Sequence, residues 1–307
     1  MNNFTGFTDL CIPEANPTEL EAIIREAIEL GYHNVAIEQV LDVTKGEGAS
    51  NKNDVVPKPY SLSDLKATFG GQIQLLNRLT IIFSETSVSL ALNRSNNIRS
   101  YNLIAALPTT ENSFQYACQT MACDIVTYNS NTIRLRTVRK FYYLAVDRNI
   151  AFELKYAPAI VSSNDRKGTI SRAHRYHSYG KSKNVIISSG ARSPFQLRSP
   201  YDIANLGLIF GLSEEQSKES IRGVPNRILL SAEGRRYGKA GVVIARRPKT
   251  TEDSDDYSDT ELEEDISDDE NEEDESDMEE GNDTAEEEEE EDMEKVQPPK
   301  KMVKLEK

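Results

Sequence analysis

Apolar and polar positions alternate in blocks over the first 250 residues, where short β-rich runs are followed by amphipathic segments. In the clearest block, residues 7–12 predict a strand, and Asn16 and Pro17 predict the start of a helix as its N-cap and first helical residue. A stripe at helical spacing follows, formed by Leu20, Ile23, Ile24, Ala27 and Ile28. Gly31 predicts the end of this helix, and residues 35–37 restart a strand. The block is therefore a strand–helix–strand unit.

The same alternation continues along the chain. Further strands are predicted over residues 79–83, 103–107, 125–128, 150–156 and 185–188, and helices over residues 110–121, 169–179, 201–210 and 214–222. Ser213 and Gln216 form a capping box before the last of these helices, and Gly223 is its predicted C-cap. Continuously apolar strands are typical of a parallel sheet that is buried on both faces.

The number of strands indicates the fold. Seven strands are visible, and residues 143–146 or 241–245 are candidates for an eighth. This count predicts an α/β fold of the TIM-like (β/α) barrel type, with an open doubly wound sheet as the alternative. Residues 43–59 are polar and contain Gly, Asn and Pro, which predicts an inserted loop.

Charge divides the chain into two parts. The whole chain of 307 residues has a net charge of −15, but residues 251–307 hold 29 acidic and 5 basic residues. Residues 1–250 hold 31 basic and 22 acidic residues. The acidic segment has too few apolar residues to offset the entropy lost on ordering. We therefore predict a barrel domain over residues 1–248 and a disordered acidic tail over residues 249–307, with a basic C-terminal end.

Several classes of protein are disfavoured. No apolar run approaches the roughly 18 residues of a membrane-spanning helix, and the N-terminus lacks the basic and apolar regions of a signal peptide. Cys11, Cys118 and Cys123 form no CxxC pair, which suits a reducing compartment. We expect an intracellular soluble protein.

Polar side chains follow several predicted strands, where a parallel barrel places its functional residues. They are Asp9, Glu38, Ser84, Glu85, Asp147, Glu153, Ser188 and Ser189. No nucleophile elbow, HExxH motif or phosphate-binding glycine loop accompanies them. His174 and His177 stand among arginines on a predicted helix, which favours a solvated basic face over a metal site. We expect no catalytic residue, no metal and no cofactor.

Basic residues are the strongest chemical signal of the first 250 residues. They cluster over residues 134–148, 166–183, 192–198 and 235–249, and Tyr142 and Tyr143 lie within the first cluster. An excess of positive charge of this kind suits contacts to phosphates that do not distinguish bases. For any single basic residue, an ordinary solvated surface is the alternative.

An ordered series of short motifs resembles a known family. The motifs are LNRLTII at residues 76–82, AVDR at 145–148, AFEL at 151–154, YAPAI at 156–160, KNVIISS at 183–189, RSPYDIANLGL at 198–208 and FGLS at 210–213. In this order they closely resemble the barrel-fold protein subunit of eukaryotic and archaeal nuclear-type ribonuclease P, which eukaryotes share with ribonuclease MRP. The resemblance covers roughly residues 7–247, although Asp9-Leu10-Cys11 departs from the Asp-Leu-Asp common in the family.

The resemblance implies a TIM-like barrel in a ribonucleoprotein whose RNA removes 5′ leaders from precursor tRNA, and which also serves rRNA processing. It implies a noncatalytic subunit with the complex's RNA, other protein subunits and a small ferredoxin-like subunit as partners. Two copies per complex, a location in nucleus and nucleolus and no membrane association are further expectations. The acidic tail is not a general family feature, so its role is not implied.

Two other hypotheses remain open at this point. A metal-dependent phosphoesterase on a related barrel is one, although a His-x-His expected on its first strand is replaced by Asp9-Leu10-Cys11. The other is a barrel that binds only proteins, for which the positive charge would be incidental.

The predicted sites are of two kinds. RNA contact is expected at Arg172, Arg175, Arg192 and Arg198, and more weakly at Arg78 and Arg148. Phosphorylation by an acid-directed kinase is expected at Ser258, Thr260, Ser267 and Ser276, each of which has an acidic residue three positions later. Asp147 and Asp202 are expected to be structural, the first in a pair with Arg148 at a strand end and the second at a helix start.

Overall fold

The computed structural model describes residues 4–44 and 54–237. Seven strands follow one another as β1 (Phe7–Pro13), β2 (Tyr32–Asp42), β3 (Gln74–Phe83), β4 (Leu103–Pro108), β5 (Ile125–Val126), β6 (Ala151–Lys155) and β7 (Val185–Ser188). The first five helices are α1 (Pro17–Glu29), α2 (Ser63–Phe69), α3 (Val88–Arg94), α4 (Glu111–Gln119) and α5 (Arg139–Asp147). The others are α6 (Tyr156–Val161), α7 (Ser163–Gly180), α8 (Pro200–Ile209), α9 (Glu214–Glu219) and α10 (Gly223–Tyr237).

The strands form one sheet in the order β1 to β7, and every neighbouring pair is parallel. Helices connect the strands and pack on the outside of the sheet, which curls into a nearly closed barrel. The predicted TIM-like barrel is confirmed.

The gap between β7 and β1 is closed in two ways, by residues 220–221 and by a direct hydrogen bond between Gly190 and Cys11. Residues 220–221 bridge the two strands, because the amide of Thr8 in β1 donates to Ile221 O at 2.9 Å and the amide of Ile187 in β7 donates to Ser220 O at 3.1 Å. Near the carboxyl ends, the amide of Gly190 donates directly to Cys11 O at 2.8 Å. Residues 220–221 therefore occupy the place that an eighth strand would fill.

The barrel interior has an apolar half that α10 closes. All seven strands contribute to one buried cluster, formed by Leu10, Ala36, Leu76, Leu103, Ala105, Ile125, Ala151 and Ile186. Ile228, Leu229 and Ala232 of α10 pack against it. Arg235 anchors the end of this helix with a bidentate contact to Asp124, at 3.0 and 2.8 Å. The amino end of the barrel is therefore plugged by a helix.

Local signals of the sequence account for several element boundaries. The side chain of Asn16 accepts the amide of Glu19 at 2.9 Å, and Gly31 ends α1 with a φ of +88°, in the left-handed region that favours glycine. The capping box of Ser213 and Gln216 is present at the start of α9. Ser199 caps α8 by accepting the amide of Asp202, so the expected placement of Asp202 in a first helical turn is confirmed.

Two predictions about elements need correction, and three others lie partly or wholly outside the described residues. Residues 143–146 belong to α5, so the prediction of a strand there is wrong. Gly223 does not cap α9, which ends at Glu219 with Ser220 as its C-cap. Gly223 begins α10, a helix that the sequence pattern did not predict. Residues 241–245, 45–53 of the predicted inserted loop and the whole tail from 249 lie outside the described residues.

Within residues 4–44 and 54–237, no helix has the length and apolar character that crossing a membrane requires.

Candidate functional site

A cavity of about 420 Å³ opens at the carboxyl ends of the strands, where parallel barrels place their functional groups. Glu38 of β2, Thr80 of β3 and Lys155 of β6 line its deepest part. Exposed Val40 and Arg192 line it nearer to the surface. We call this space the mouth cavity.

Behind the mouth cavity lies an ion network centred on Arg78, whose side chain is completely buried. Its two terminal nitrogens donate to both carboxylate oxygens of Glu153, at 2.5 and 2.8 Å, and one also donates to Leu10 O at 2.7 Å. Its Nε donates to Thr80 Oγ1 at 3.1 Å, and Nη2 lies 3.2 Å from Glu38 Oε1. RNA cannot reach this guanidinium in the folded barrel, so the prediction of RNA contact at Arg78 is at odds with its burial.

The network keeps the Glu153 carboxyl ionised. Burial by itself raises the pKa of a carboxyl group, but here the charges of Arg78 and Lys155 outweigh burial. Hydrogen bonds from Arg78 and from the hydroxyl of Thr127 act in the same direction, and the pKa of Glu153 falls to about 2. A carboxylate with this pKa is a poor general acid or base near neutral pH.

Lys155 is held as an ammonium ion by the same group of residues. Burial lowers the pKa of an ammonium group, but the carboxylates of Glu38 and Glu153 outweigh it and raise the pKa of Lys155 above its usual value. Its Nζ lies 3.7 Å from Glu38 Oε1 and 3.8 Å from Glu153 Oε2. The pKa of Glu38 is lowered, because Lys155 and Arg78 outweigh its burial. A lysine in this state does not serve as a nucleophile.

Asp9 has a different environment, at the join between β1 and β7. Its Oδ1 accepts the amides of Ser189 and Cys11 at 3.0 and 3.1 Å. Burial is the largest influence on this carboxyl and raises its pKa to about 6, against the lowering effect of these hydrogen bonds. The side chain does not line the mouth cavity. The geometry makes Asp9 a bridge across the barrel closure.

In the described part of the chain, no group of three or more His, Cys, Asp and Glu side chains is arranged to hold a metal ion. His33 and His174 are exposed, and His177 is half-buried with its Nδ1 at 3.5 Å from Ser182 Oγ. None of the three lines the mouth cavity.

Arg172 of α7 is buried and holds a loop in place. Its Nε and Nη2 donate to the carbonyls of Ile133 and Thr132, at 3.2 and 2.7 Å, and Nη1 donates to Tyr176 Oη at 3.1 Å. The guanidinium carbon lies 4.7 Å from the centre of the Tyr128 ring. The predicted RNA contact at Arg172 conflicts with this burial, and the residue supports the loop between β5 and α5.

Arg175, one turn further along α7, is half-buried and donates to Leu135 O at 3.1 Å. Its Nε is buried and has no hydrogen-bond partner among the described residues. Burial and the charge of Arg172 both lower the pKa of Arg175. Two neighbouring cations are thus held mainly by carbonyl groups, and no carboxylate of residues 4–44 or 54–237 pairs with either of them.

Arg175 also lines a surface groove of about 320 Å³ beside the loop that Arg172 supports. The other lining residues are Ile133, Arg134, Lys167, Gly168 and Ser171. Arg134 and Lys167 are exposed, and none of the described residues that line the groove is acidic. We call it the basic groove. Arg134 and Lys167 belong to two different basic clusters of the sequence. Their spacing along the chain does not indicate that their side chains line the same groove.

Arg148 ends α5 and caps a different helix. Its Nη1 donates to Cys118 O at 2.9 Å and to Ala117 O at 3.3 Å, and Nη2 donates to Met121 O at 2.7 Å. These carbonyls lie at the end of α4, where helix carbonyls lack internal partners. The predicted pair with Asp147 at a strand end is therefore wrong: Asp147 lies in α5, and the donors of Arg148 are engaged with α4.

Arg192 and Arg198 lie in the loop after β7, as predicted. Arg192 is exposed, and its guanidinium makes no polar contact with another described residue. Arg198 is half-buried and donates to the carbonyls of Phe195 and Leu197, at 2.7 Å each. Of the six predicted arginines, Arg192 is thus the most available for a partner. The predicted phosphorylation sites Ser258, Thr260, Ser267 and Ser276 lie outside the described residues.

Comparisons with known proteins agree with this architecture. The model of the family described as RNase P subunit p30 matches residues 6–237. The Ribonuclease P protein subunit p30 of Mus musculus is 33% identical over 265 residues, which cover 82% of this chain and 95% of the mouse protein. The Ribonuclease P/MRP protein subunit RPP1 of Saccharomyces cerevisiae is 24% identical over 209 residues, which cover 66% of this chain and 68% of the yeast protein.

A solved structure supports the fold. A chain in the cryo-EM structure of archaeal Ribonuclease P with mature tRNA superposes with a TM-score of 0.57 at 14% identity, covering 79% of this chain and 100% of that chain. At this identity the likeness concerns the fold alone. The comparisons do not favour the metal-dependent phosphoesterase.

Proposed function

We propose that this chain, which belongs to the RNase P subunit p30 family, is a noncatalytic protein subunit of a ribonuclease P and MRP ribonucleoprotein. In this role it supports RNA-catalysed removal of 5′ leaders from precursor tRNA, and rRNA processing. The charged groups behind the mouth cavity favour this role because Arg78, Glu38, Glu153 and Lys155 neutralise one another. None of the four has a pKa suited to proton transfer near neutral pH.

The basic groove is the observation that carries the proposal. Arg134, Lys167 and Arg175 line one concave surface on which no described residue is acidic, and within residues 4–44 and 54–237 no carboxylate pairs with Arg175. A phosphate group of RNA supplies that missing charge. We place the main RNA contact there, with Arg192 and Arg198 as a second contact area. Arg78 and Arg172 act as buried supports, and Arg148, although exposed, is engaged as the cap of α4.

Affinity purification of the tagged full chain from cells, followed by sequencing of the bound RNA, tests this function. The expected result is enrichment of the RNA components of ribonuclease P and MRP. An Arg134→Ala/Lys167→Ala variant is expected to retain less of this RNA as salt is raised, because each lost phosphate contact weakens binding. Arg25→Ala is the matched control, since Arg25 is exposed but pairs with Glu21 on α1 at 2.9 Å. Recovery of the wild-type protein with neither the ribonuclease P RNA nor the ribonuclease MRP RNA bound to it would overturn the proposal.

A cleavage assay separates this function from the phosphoesterase. Purified, nuclease-controlled protein without RNA is expected to leave precursor tRNA intact, with or without magnesium or zinc. Specific removal of the 5′ leader by the protein alone would contradict a noncatalytic role.

We also propose partners, location and regulation. The partners are other protein subunits of the complex, including a small ferredoxin-like subunit, and two copies of this chain can be present; the location is nucleus and nucleolus. Co-purification of two differently tagged copies, and imaging of the tagged chain, test these points.

We propose that the acidic segment competes with misplaced RNA for the basic surface of the barrel domain. Phosphorylation is proposed at four residues of this segment, where it would add about −1.5 to −2 charge per site: Ser258, Thr260, Ser267 and Ser276. Truncation after Lys249 is then expected to increase binding of random RNA at low salt.

A further inference from the structure

The loop after β7 displays an aromatic ring on the surface. Phe195 is 87% exposed, although a phenylalanine side chain gains stability when it is buried. It sits in a short helical turn, Pro194–Gln196, between the exposed Arg192 and the half-buried Arg198. A single exposed apolar residue is ordinary, so the surroundings of the ring decide what it can do.

The backbone around Phe195 is held on both sides. Before the ring, the amide of Arg192 donates to the side chain of Gln196 at 2.8 Å. After it, Leu197 is buried, and the amide of Arg198 donates to Tyr156 Oη at 3.2 Å. The exposed ring is therefore presented by a loop that buried residues anchor.

Arg198 covers one side of the ring. Its Nη1 donates to the carbonyls of Phe195 and Leu197, and its guanidinium carbon lies 5.8 Å from the ring centre. The fixed cation polarises the aromatic ring and leaves the remaining ring surface to solvent. A planar group that stacks on that surface would meet a preorganised site.

The charge beside the ring is positive. Residues 189–199 contain two arginines and no acidic residue. Arg192 has an unengaged guanidinium and lines the mouth cavity together with Gln196, the neighbour of Phe195. Deeper in that cavity, Glu38 and Glu153 neutralise Lys155, so the positive charge at this edge comes from Arg192. An anionic ligand is favoured at this edge of the barrel.

We propose that Phe195 is a stacking platform for an unpaired RNA base, and that Arg192 contacts a phosphate of the same strand. An exposed aromatic ring beside an arginine is the combination by which proteins hold single-stranded RNA, because every base has a flat face. A base inside a duplex has both faces covered, so the ligand is a single-stranded segment. The inference rests on the proposed function, since it assigns one site to the RNA that the protein is proposed to bind.

The chain contains no tryptophan, which makes a direct test possible. Phe195→Trp introduces a unique tryptophan in the full-length protein, and the probe is a short unstructured RNA oligonucleotide. We expect binding to quench the tryptophan fluorescence and the affinity to stay near that of wild type. Phe195→Ala is expected to weaken binding by about 5- to 150-fold, the range for loss of one base–aromatic stack. Because the ring is exposed, neither change is expected to disturb folding.

Tyr201→Trp is the matched control. Tyr201 is also exposed, at 72%, but it lies on α8 and packs edge-on against Phe7, with the ring centres 5.7 Å apart. Its tryptophan is expected to keep its fluorescence when RNA binds. Equal RNA affinity of wild type and Phe195→Ala, or unchanged tryptophan emission of the Phe195→Trp variant at saturating RNA, would overturn the inference. A Phe195→Ala variant that keeps RNA but loses a protein subunit of the purified complex would also overturn it, in favour of a protein contact.

The two proposals fail in different ways. If wild-type protein recovers no ribonuclease P or MRP RNA from cells, the proposed function fails. If wild type recovers it and Phe195→Ala behaves identically in both assays, only the stacking platform fails.

Discussion

The two ends of the barrel interior have opposite chemistry, although the same seven strands build both. At the amino end, apolar residues of all seven strands meet Ile228 and Leu229 of α10. At the carboxyl end, Arg78, Glu38 and Glu153 form a buried ion network below an open cavity. One end is closed by hydrophobic packing, and the other consists of charges that must balance one another.

This difference indicates where stability and function can be separated. Removing an apolar side chain from the amino end leaves a cavity, and the remaining atoms lose only contacts. Removing one charge from the carboxyl end leaves its partner buried and unpaired, which costs more. Exposed Arg134 of the basic groove and exposed Arg192 of the loop after β7 carry neither cost, so these two arginines are free to bind a partner.

Arg78→Met is expected to have the largest effect. It leaves Glu153 buried without its bidentate partner, and we expect the free energy of unfolding to fall by about 3 to 5 kcal/mol. Urea unfolding of the purified chain measures the loss. The double variant Arg78→Met/Glu153→Gln is expected to be more stable than the single one. A double variant that loses the sum of both single effects would show that the two groups are not coupled.

Leu229→Ala tests the apolar end. Leu229 is 1% exposed in the cluster that α10 closes, and we expect the substitution to cost about 2 to 4 kcal/mol. Leu230→Ala in the next position is the control, because Leu230 is 43% exposed and its truncation should cost well under about 1 kcal/mol. Similar losses for both would mean that α10 does not plug the barrel as described.

Asp9 and Glu153 are expected to make stability depend on pH in opposite directions. The pKa of Asp9 rises from 3.8 to about 6 on folding, so the folded state binds more protons between these values and stability falls as pH rises through them. The pKa of Glu153 falls from 4.5 to about 2, so its contribution is complete above about pH 4.5 and is lost as pH falls toward 2.

Asp9→Asn isolates the first of these effects. Relative to wild type, its stability should improve by on the order of 2 kcal/mol between about pH 4 and about pH 7, because the cost of ionising buried Asp9 is removed. Chemical unfolding at both pH values measures the change. Asp202→Asn, at an exposed carboxylate, is the control. A difference between wild type and Asp9→Asn that stays constant with pH would refute the assigned shift.

Arg148→Ala and Arg134→Ala are expected to have the smallest effects on stability, and they distinguish a supporting arginine from a contacting one. Arg148 caps α4 through three carbonyls, so its loss should cost about 1 kcal/mol of stability and leave RNA affinity unchanged. Arg134 is exposed in the basic groove, so its loss should leave stability within about 0.5 kcal/mol and weaken RNA binding. The reverse pattern would contradict the division into supporting and contacting arginines.

The secondary structure was largely predictable where local signals were strong. The stripe from Leu20 to Ile28 and the cap at Asn16 identified α1, because both act within one or two turns. Helix α10 was missed, since its polar and apolar residues show little periodicity and Gly223 resembles an end rather than a start. Its buried face is defined only by the barrel opening that it fills.

The candidate site was less predictable. Arg192 and Arg198 were placed correctly after a strand, but Arg78 and Arg172 were assigned to RNA although both are buried. A sequence shows that an arginine is charged, but not whether a carboxylate or a carbonyl from a distant segment meets it. Glu153, the partner of Arg78, is separated from it by several intervening elements.

By itself, the sequence determined the alternation of strands and helices, the excess of positive charge before residue 250 and the family resemblance, since each depends on neighbouring residues or on ordered motifs. Only the tertiary structure decided which charges are neutralised inside and which remain available outside. The closure by residues 220–221, the Arg78–Glu153 pair and the convergence of Arg134 with Lys167 each join segments far apart in the chain. Electrostatic interactions depend on distance in space and on burial, and neither quantity is encoded in the spacing of residues along the chain.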